Sequence, residues 1–145
     1  MEIKTISETL SVSPQIRADE IQTLVDRGFR SIICNRPDGE DAGQQTFAQI
    51  EKAAIKAGLE ARYIPIAGRV SNEVAAAFDA AMQELPTPTL AYCRSGARSA
   101  MLWSLSQSKK LTIIDILAAT KRAGYDMAGV VRRLSMMARN HIRRP

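Results

Sequence analysis

Four short apolar runs, each parted from the next by a longer helical pattern, constrain this chain more than any other feature. The runs are Thr9 to Val12, Phe29 to Cys34 (FRSIIC), Leu59 to Ile64 and Thr89 to Tyr92 (TLAY). A strand followed by a helix returns the chain to the same end of a sheet. The alternation therefore predicts an α/β fold with a parallel central sheet flanked by helices. The helical stretches are legible from their ends and stripes. Ala18 to Arg27 carries Ile21, Leu24 and Val25 on one face, with Gly28 as its C-terminal cap. Thr46 to Ala57 sets Phe47, Ile50, Ala54 and Ala57 on one side and stops at Gly58. Ser71 is a good N-cap for Asn72 to Leu85, whose stripe is Val74, Phe78 and Met82. A helix is predicted from about Ala97 to Ser106. Thr112 and Asp115 resemble a capping box that opens a helix to about Ala123, before Gly124. The last helix, about Asp126 to Ala138, carries Val130, Leu134 and Met137, and Trp103, Met136 and Met137 are read as packing residues.

There is no internal repeat and no Gly/Ser-rich linker, so residues 1–145 read as one domain. With 46% apolar and 24% charged residues the composition is globular, which excludes a disordered or coiled-coil chain. No apolar run reaches the ~18 residues of a membrane span, and MEIKTISETL lacks the pattern of a signal peptide. A cytoplasmic protein without a membrane association is the expectation. One His and two Cys are too few for a typical structural zinc site, and no metal or cofactor is expected. The formal charge is +5, but residues 1–126 balance at 15 basic and 15 acidic side chains. The excess is Arg132, Arg133, Arg139, Arg143 and Arg144, in a basic C-terminal helix and tail at about 126–145. That describes a solvated surface rather than a nucleic-acid site, and His141 reads as a tail histidine.

The chemistry concentrates at Cys93-Arg94-Ser95-Gly96-Ala97-Arg98-Ser99, between a predicted strand and a predicted helix. A sulfur nucleophile acts as the thiolate, which a helix N-terminus and nearby guanidinium groups favour. A tetrahedral anion needs several backbone N–H groups aimed at one point, and a loop wrapping into a helix start supplies them. Gly96 lets the loop curl. Arg94 and Arg98 offer planar, bidentate donors to sulfonate or phosphate oxygens. The predicted site is thus Cys93 and Arg98 for catalysis, with Arg94, Ser95, Gly96, Ala97 and Ser99 around the anion. The plain alternative is that Cys93 is a small buried residue closing a core strand.

Two resemblances meet in this sequence. The CRSGARS loop resembles that of rhodanese-type sulfurtransferases. The order Ser11-Val12-Ser13-Pro14-Gln15, then Gly28 to Pro37 (GFRSIICNRP), then Ile64-Pro65 resembles the cysteine-dependent dual-specificity phosphatase fold. Both occur together in the phosphatase-like domain of bacterial beta-lactamase-hydrolase-like proteins, also described as a sulfur transferase family, which the chain resembles from about Ile6 to Ser106. The resemblance implies a phosphatase-like fold with an added C-terminal helical segment.

Loop arithmetic separates the two chemistries. The phosphatase signature is Cys, five residues, then Arg; here that sixth position is Ser99 and the Arg comes one earlier, at Arg98. One residue at a helix start turns a side chain by about 100°, which argues against an intact Arg clamp. Pro65 to Arg69 also lacks the Asp that related phosphatases use as an acid; Asp38, Glu40 or Asp41 could substitute. Sulfur transfer needs only a thiolate, an anion cradle and access. The first expectation is therefore a sulfurtransferase: thiosulfate or a persulfide gives sulfane sulfur to Cys93, and a thiol or cyanide takes it away. The resemblance implies a persulfide-oxidising partner enzyme. The alternative is a cysteine-dependent phosphatase acting on a phosphate ester through a Cys93 phosphocysteine. A non-catalytic anion- or phosphoprotein-binding module is the third reading.

In a parallel sheet the Asn35 to Ala42 loop opens on the same edge as the Cys93 loop. Asn35, Arg36 and Asp38 are accordingly candidate supporting residues, against a solvated turn. Gly68 and Arg69 could sit beside the site. Cys34 reads as core, with a resolving thiol for Cys93 as the sharper alternative.

Overall fold

The computed structural model describes residues 1–143, with side chains through Met137. The side chains of Arg139, His141, Arg143 and Arg144, on which the reading of the basic tail partly rests, lie outside the described residues. Five strands form one sheet: β1 (Lys4–Thr5), β2 (Leu10–Ser13), β3 (Ser31–Cys34), β4 (Glu60–Tyr63) and β5 (Thr89–Tyr92), in the order β1-β2-β5-β3-β4. Four strands are parallel, as expected, but the sheet as a whole is mixed. β1 pairs antiparallel with β2, Lys4 opposite Val12 and Thr5 opposite Ser11. Both residues of β1 are exposed, so this edge strand has no apolar pattern by which the sequence could announce it.

Six α-helices cover the sheet: α1 (Ile21–Asp26), α2 (Phe47–Lys56), α3 (Asn72–Glu84), α4 (Ala97–Ser106), α5 (Ile113–Arg122) and α6 (Val131–Arg143). Short 3-10 turns at Ala18–Glu20 and Ala128–Val130 lead into α1 and α6, where the sequence predicts unbroken helices. The caps lie where the residue types place them. Thr46 accepts the Gln49 N–H, Ser71 that of Val74 and Thr112 that of Asp115, each satisfying an otherwise orphaned donor. At Thr46 the full capping box forms, with the Gln49 side chain accepting the Thr46 N–H. At Thr112 only the half from the threonine is seen.

The strand order follows from right-handed crossovers. The chain steps outward through β2, β3 and β4 with α1 and α2 on one face, then returns with α3 on the other and inserts β5 between β2 and β3. Alternate strand residues then feed opposite layers. Ile32, Cys34, Leu90 and Tyr92 pack with Leu24, Ile50 and Ala54 under α1 and α2. Leu10, Val12, Ile33 and Ala91 pack with Phe78, Leu102, Trp103, Ile116 and Leu134 under α3 to α6. Trp103 is core, as read from the sequence, and Met137 packs against that layer. Met136 does not pack: it is 49% exposed, one helical step off the buried stripe.

Phe78 is fully buried at the centre of the second layer. Phe78→Ala should cost about 3–5 kcal/mol in a urea unfolding experiment. Ile114→Ala, at a side chain 79% exposed, should stay within about 0.5 kcal/mol of the parent. Similar costs at the two positions would contradict this core.

Candidate functional site

β5 is the central strand, and the loops after its two neighbours flank the loop that follows it. Cys93 is buried just past β5, and its N–H approaches the Ser13 carbonyl at 3.4 Å. The chain then turns through Arg94, Ser95 and Gly96 into α4. Gly96, at φ +96°, takes a left-handed conformation that other residues rarely adopt. This turn directs the Gly96 N–H onto the Cys93 sulfur, N···Sγ 3.0 Å. The nucleophile candidate thus sits on a curled loop at a helix N-terminus, the arrangement the sequence predicts.

The seven loop residues do not all face the same way. Arg94 is exposed, and its guanidinium lies 3.6 Å from Asp41 Oδ2. Ser95 is exposed, its Oγ accepting the Ala97 N–H at 3.3 Å. Ala97 opens α4. Ser99 is buried, and its hydroxyl donates to Asn35 Oδ1 at 2.8 Å, so it braces the helix against the sheet edge. Asn35 completes the brace. Its Nδ2 donates to the Ile64 carbonyl at 2.8 Å, its N–H to Tyr92 at 2.8 Å, and its carbonyl accepts the Ile66 N–H at 3.0 Å.

Arg98 is held at its tip by the neighbouring loop. It makes a two-pronged ion pair with Glu40, at 2.8 and 2.7 Å, and donates to the Ile66 carbonyl at 2.9 Å. Glu40 also receives Arg36 Nε at 3.0 Å. Arg36, 3% exposed, spends its other nitrogens on Asp41 at 2.6 Å and Gln15 at 3.1 Å. A buried guanidinium requires this degree of pairing. The result is an alternating chain of charge, Arg98–Glu40–Arg36–Asp41–Arg94, beside the Cys93 loop. Asp38 stands outside it, accepting the Phe47 N–H at the start of α2. The hydrogen bond from Arg98 is the main cause that holds the Glu40 carboxyl down at about 2, from an ordinary 4.5, with Arg36 adding to it against the cost of burial. The hydrogen bond that Arg98 donates to Glu40, opposed by burial and helped by the charges of Glu40 and Cys93, pushes the Arg98 guanidinium up.

Gly68 and Arg69 lie on exposed loop, and Arg69 sits near Arg133, whose pKa is lowered by burial and by that neighbouring charge. Cys34 is a core residue. Its thiol donates to the Arg36 carbonyl at 3.2 Å, and burial pushes it up. Both cysteines are free thiols. Among the described residues no group of three or more His, Cys, Asp and Glu side chains is placed to hold a metal ion, and no helix is long and apolar enough to cross a membrane. The sequence reading missed one neighbour of the loop. Tyr125, after α5, donates its hydroxyl to the Ser95 carbonyl at 3.1 Å. No local pattern marks that residue; only the docking of α5 on α4 brings it there.

Comparison with known proteins supplies a family for this geometry. Residues 2–110 match the family described as the phosphatase-like domain of beta-lactamase hydrolase-like proteins. A beta-lactamase hydrolase-like protein of Xylella fastidiosa (strain Temecula1) is 33% identical over 141 residues, covering 95% of this chain and 33% of that protein. The chain therefore spans about a third of the length of the curated relatives it matches. The crystal structure of a candidate phosphatase from Neisseria meningitidis Z2491 superposes with a TM-score of 0.84 at 29% identity, covering 94% of this chain and 98% of that one. Tk-PTP in its active form shares the fold, with a TM-score of 0.71 at 19% identity over 96% of this chain and 97% of its own. These relatives lend no support to the sulfur transfer that the loop pattern put first, nor to a sulfur substrate or a persulfide-oxidising partner.

A carboxylate whose folded pKa lies below its unfolded value contributes stability above the unfolded value and loses it as pH falls through the folded one. Glu40 should therefore contribute stability that fades from about pH 4.5 down to about pH 2. Paired urea titrations of the parent and Glu40→Gln, near neutrality and in acid, read this directly. The parent should lose more stability than the variant across that window, and equal losses would refute the pairing.

Proposed function

The chain belongs to the phosphatase-like domain family of beta-lactamase hydrolase-like proteins, and on that premise we propose that it hydrolyses phosphate esters through a Cys93 phosphocysteine. The observation that carries the reading is the position of Cys93. It directly follows the central parallel strand of a phosphatase-like fold, with the Gly96 N–H on its sulfur and the N-terminus of α4 behind the loop. Loop amides and Arg94 and Arg98 serve a phosphoryl group there, since charge spread over three oxygens is stabilised by preorganised donors. The shared sheet under both core layers supports taking the chain as one domain.

The steps are two displacements at phosphorus. Cys93 Sγ attacks, an S–P bond forms, and the bond from phosphorus to the leaving oxygen breaks. Water then attacks the phosphocysteine, the S–P bond breaks, and inorganic phosphate leaves. The first step ordinarily needs an acid to protonate the leaving oxygen. Glu40 is an ionised partner of two arginines, Asp41 is bound by Arg36, and Asp38 caps α2. All three carboxyls that the sequence puts forward are thus engaged in other contacts, and Glu40 is held ionised. The substrate class that fits is an ester or anhydride whose leaving group departs as a stable anion, such as an aryl phosphate.

Sulfur transfer stays as a second reading because of that same observation. A sulfane sulfur moves to Cys93 without a proton donor and without a three-oxygen clamp. Its donor would be thiosulfate or a persulfide.

One pair of assays separates these readings. The protein should release phosphate from an aryl phosphate and act at least tenfold more slowly on an alkyl phosphate, a preference set by leaving-group stability. Cys93→Ser should reduce the aryl activity to background. Thiosulfate followed by mass measurement and cyanide should give neither a gain of one sulfur atom nor thiocyanate. A persulfide on Cys93 without phosphate release would reverse the order of the two.

A further inference from the structure

α5 closes with a two-bond C-terminal motif: Gly124, at φ +94°, donates to the Lys121 carbonyl at 2.9 Å, and the Tyr125 N–H to the Thr120 carbonyl at 2.9 Å. This closure directs Tyr125 away from its own helix and over the Cys93 loop. There its hydroxyl donates to the Ser95 carbonyl at 3.1 Å. The Ser95 carbonyl and the Gly96 N–H belong to one peptide unit. In a trans peptide those two bonds point in opposite directions from one rigid plane. The Gly96 N–H at the other end of this plane is the one on Cys93 Sγ, at 3.0 Å.

We propose that Tyr125 is a positioning residue for the Cys93 site, holding the Ser95–Gly96 peptide from outside so that the Gly96 N–H stays aimed at the sulfur. Without that anchor the peptide could rotate about its flanking bonds, and its carbonyl could turn toward the sulfur and oppose the thiolate. Gly96 is bare enough to permit the contact. A Cβ there would collide with the Tyr125 hydroxyl, and its left-handed φ would be strained for another residue. Burial, then the charge of Cys93, then that of Glu2, push the Tyr125 hydroxyl up, so it remains a donor at neutral pH. The inference rests on Cys93 as the nucleophile but not on the substrate it attacks.

The test reads the sulfur directly. The full chain is treated with iodoacetamide across a range of pH, and alkylation of Cys93 is followed by mass with peptide mapping. Tyr125→Phe removes only the hydroxyl. It should slow alkylation near neutral pH by about fivefold, as loss of one hydrogen bond implies, and move the pH profile upward. Leu117→Ala, in the same surface cleft but without a bond to Ser95, should leave the profile in place. Superimposable profiles for Tyr125→Phe and the parent would overturn the proposal. So would an equal displacement in Leu117→Ala, which would mean general loosening. Failure to hydrolyse an aryl phosphate would sink the phosphatase reading while leaving this comparison intact.

Discussion

Asn35 makes four hydrogen bonds, and each ties down a different part of the site. Its main chain joins Tyr92 at the end of β5 and Ile66 in the loop after β4. Its amide grips the Ile64 carbonyl, and its side-chain oxygen accepts Ser99 on α4. A buried amide left without these partners would cost more than the bonds contribute, because desolvation is not recovered. One residue at the exit of β3 therefore sets the angle at which α4 leaves the sheet. The register of the Cys93 loop, its helix and the Arg98 contact to Ile66 all inherit that angle.

Around this brace, charge is arranged by pairing rather than by excess. Arg36 is buried and would be intolerable alone; Glu40, Asp41 and Gln15 make it acceptable. The two carboxylates that compensate Arg36 also reach the two arginines of the Cys93 loop. Within this set three guanidinium groups face two carboxylates, which leaves one positive charge beside the thiol. An anion arriving there meets a local field that the overall charge of the chain, concentrated at its C-terminus, does not describe.

The local signals in the sequence were strong and the tertiary ones weak. Caps at Ser71 and Thr112, the glycine after α1, and the TLAY strand are visible because each has a short-range physical cause. β1 was invisible because its two residues are exposed and carry no alternation. The sequence singles out the Cys93 loop as a candidate, and the structure brings Asn35 and Arg36 to its edge. Their roles were not legible. Ser99 to Asn35, Arg98 to Glu40 and Tyr125 to Ser95 join residues far apart in the chain, and only the insertion of β5 between β2 and β3 and the docking of α5 bring them together. A residue such as Ser99, which sits inside the motif but braces the scaffold, cannot be told from a ligand-facing one by spacing.

The one-residue shift of the arginine tells less against a phosphatase for a related reason. Moving an arginine by one position at a helix start redirects its side chain if the helix alone decides where that side chain goes. Arg98 is not placed that way. Its guanidinium is gripped by Glu40 from the loop after β3 and by the Ile66 carbonyl from the loop after β4, and a long side chain has the freedom to meet such partners. The position of the charge is then a property of the neighbouring loops, and the four-residue interval between Cys93 and Arg98 no longer implies a misplaced clamp. Under the phosphatase proposal, a shorter loop offers fewer amides to the phosphoryl group and leaves more of its stabilisation to arginine. A site built in this way depends on Glu40 to hold the guanidinium beside the loop. Under the same proposal, the phosphoryl group competes with Glu40 for that guanidinium.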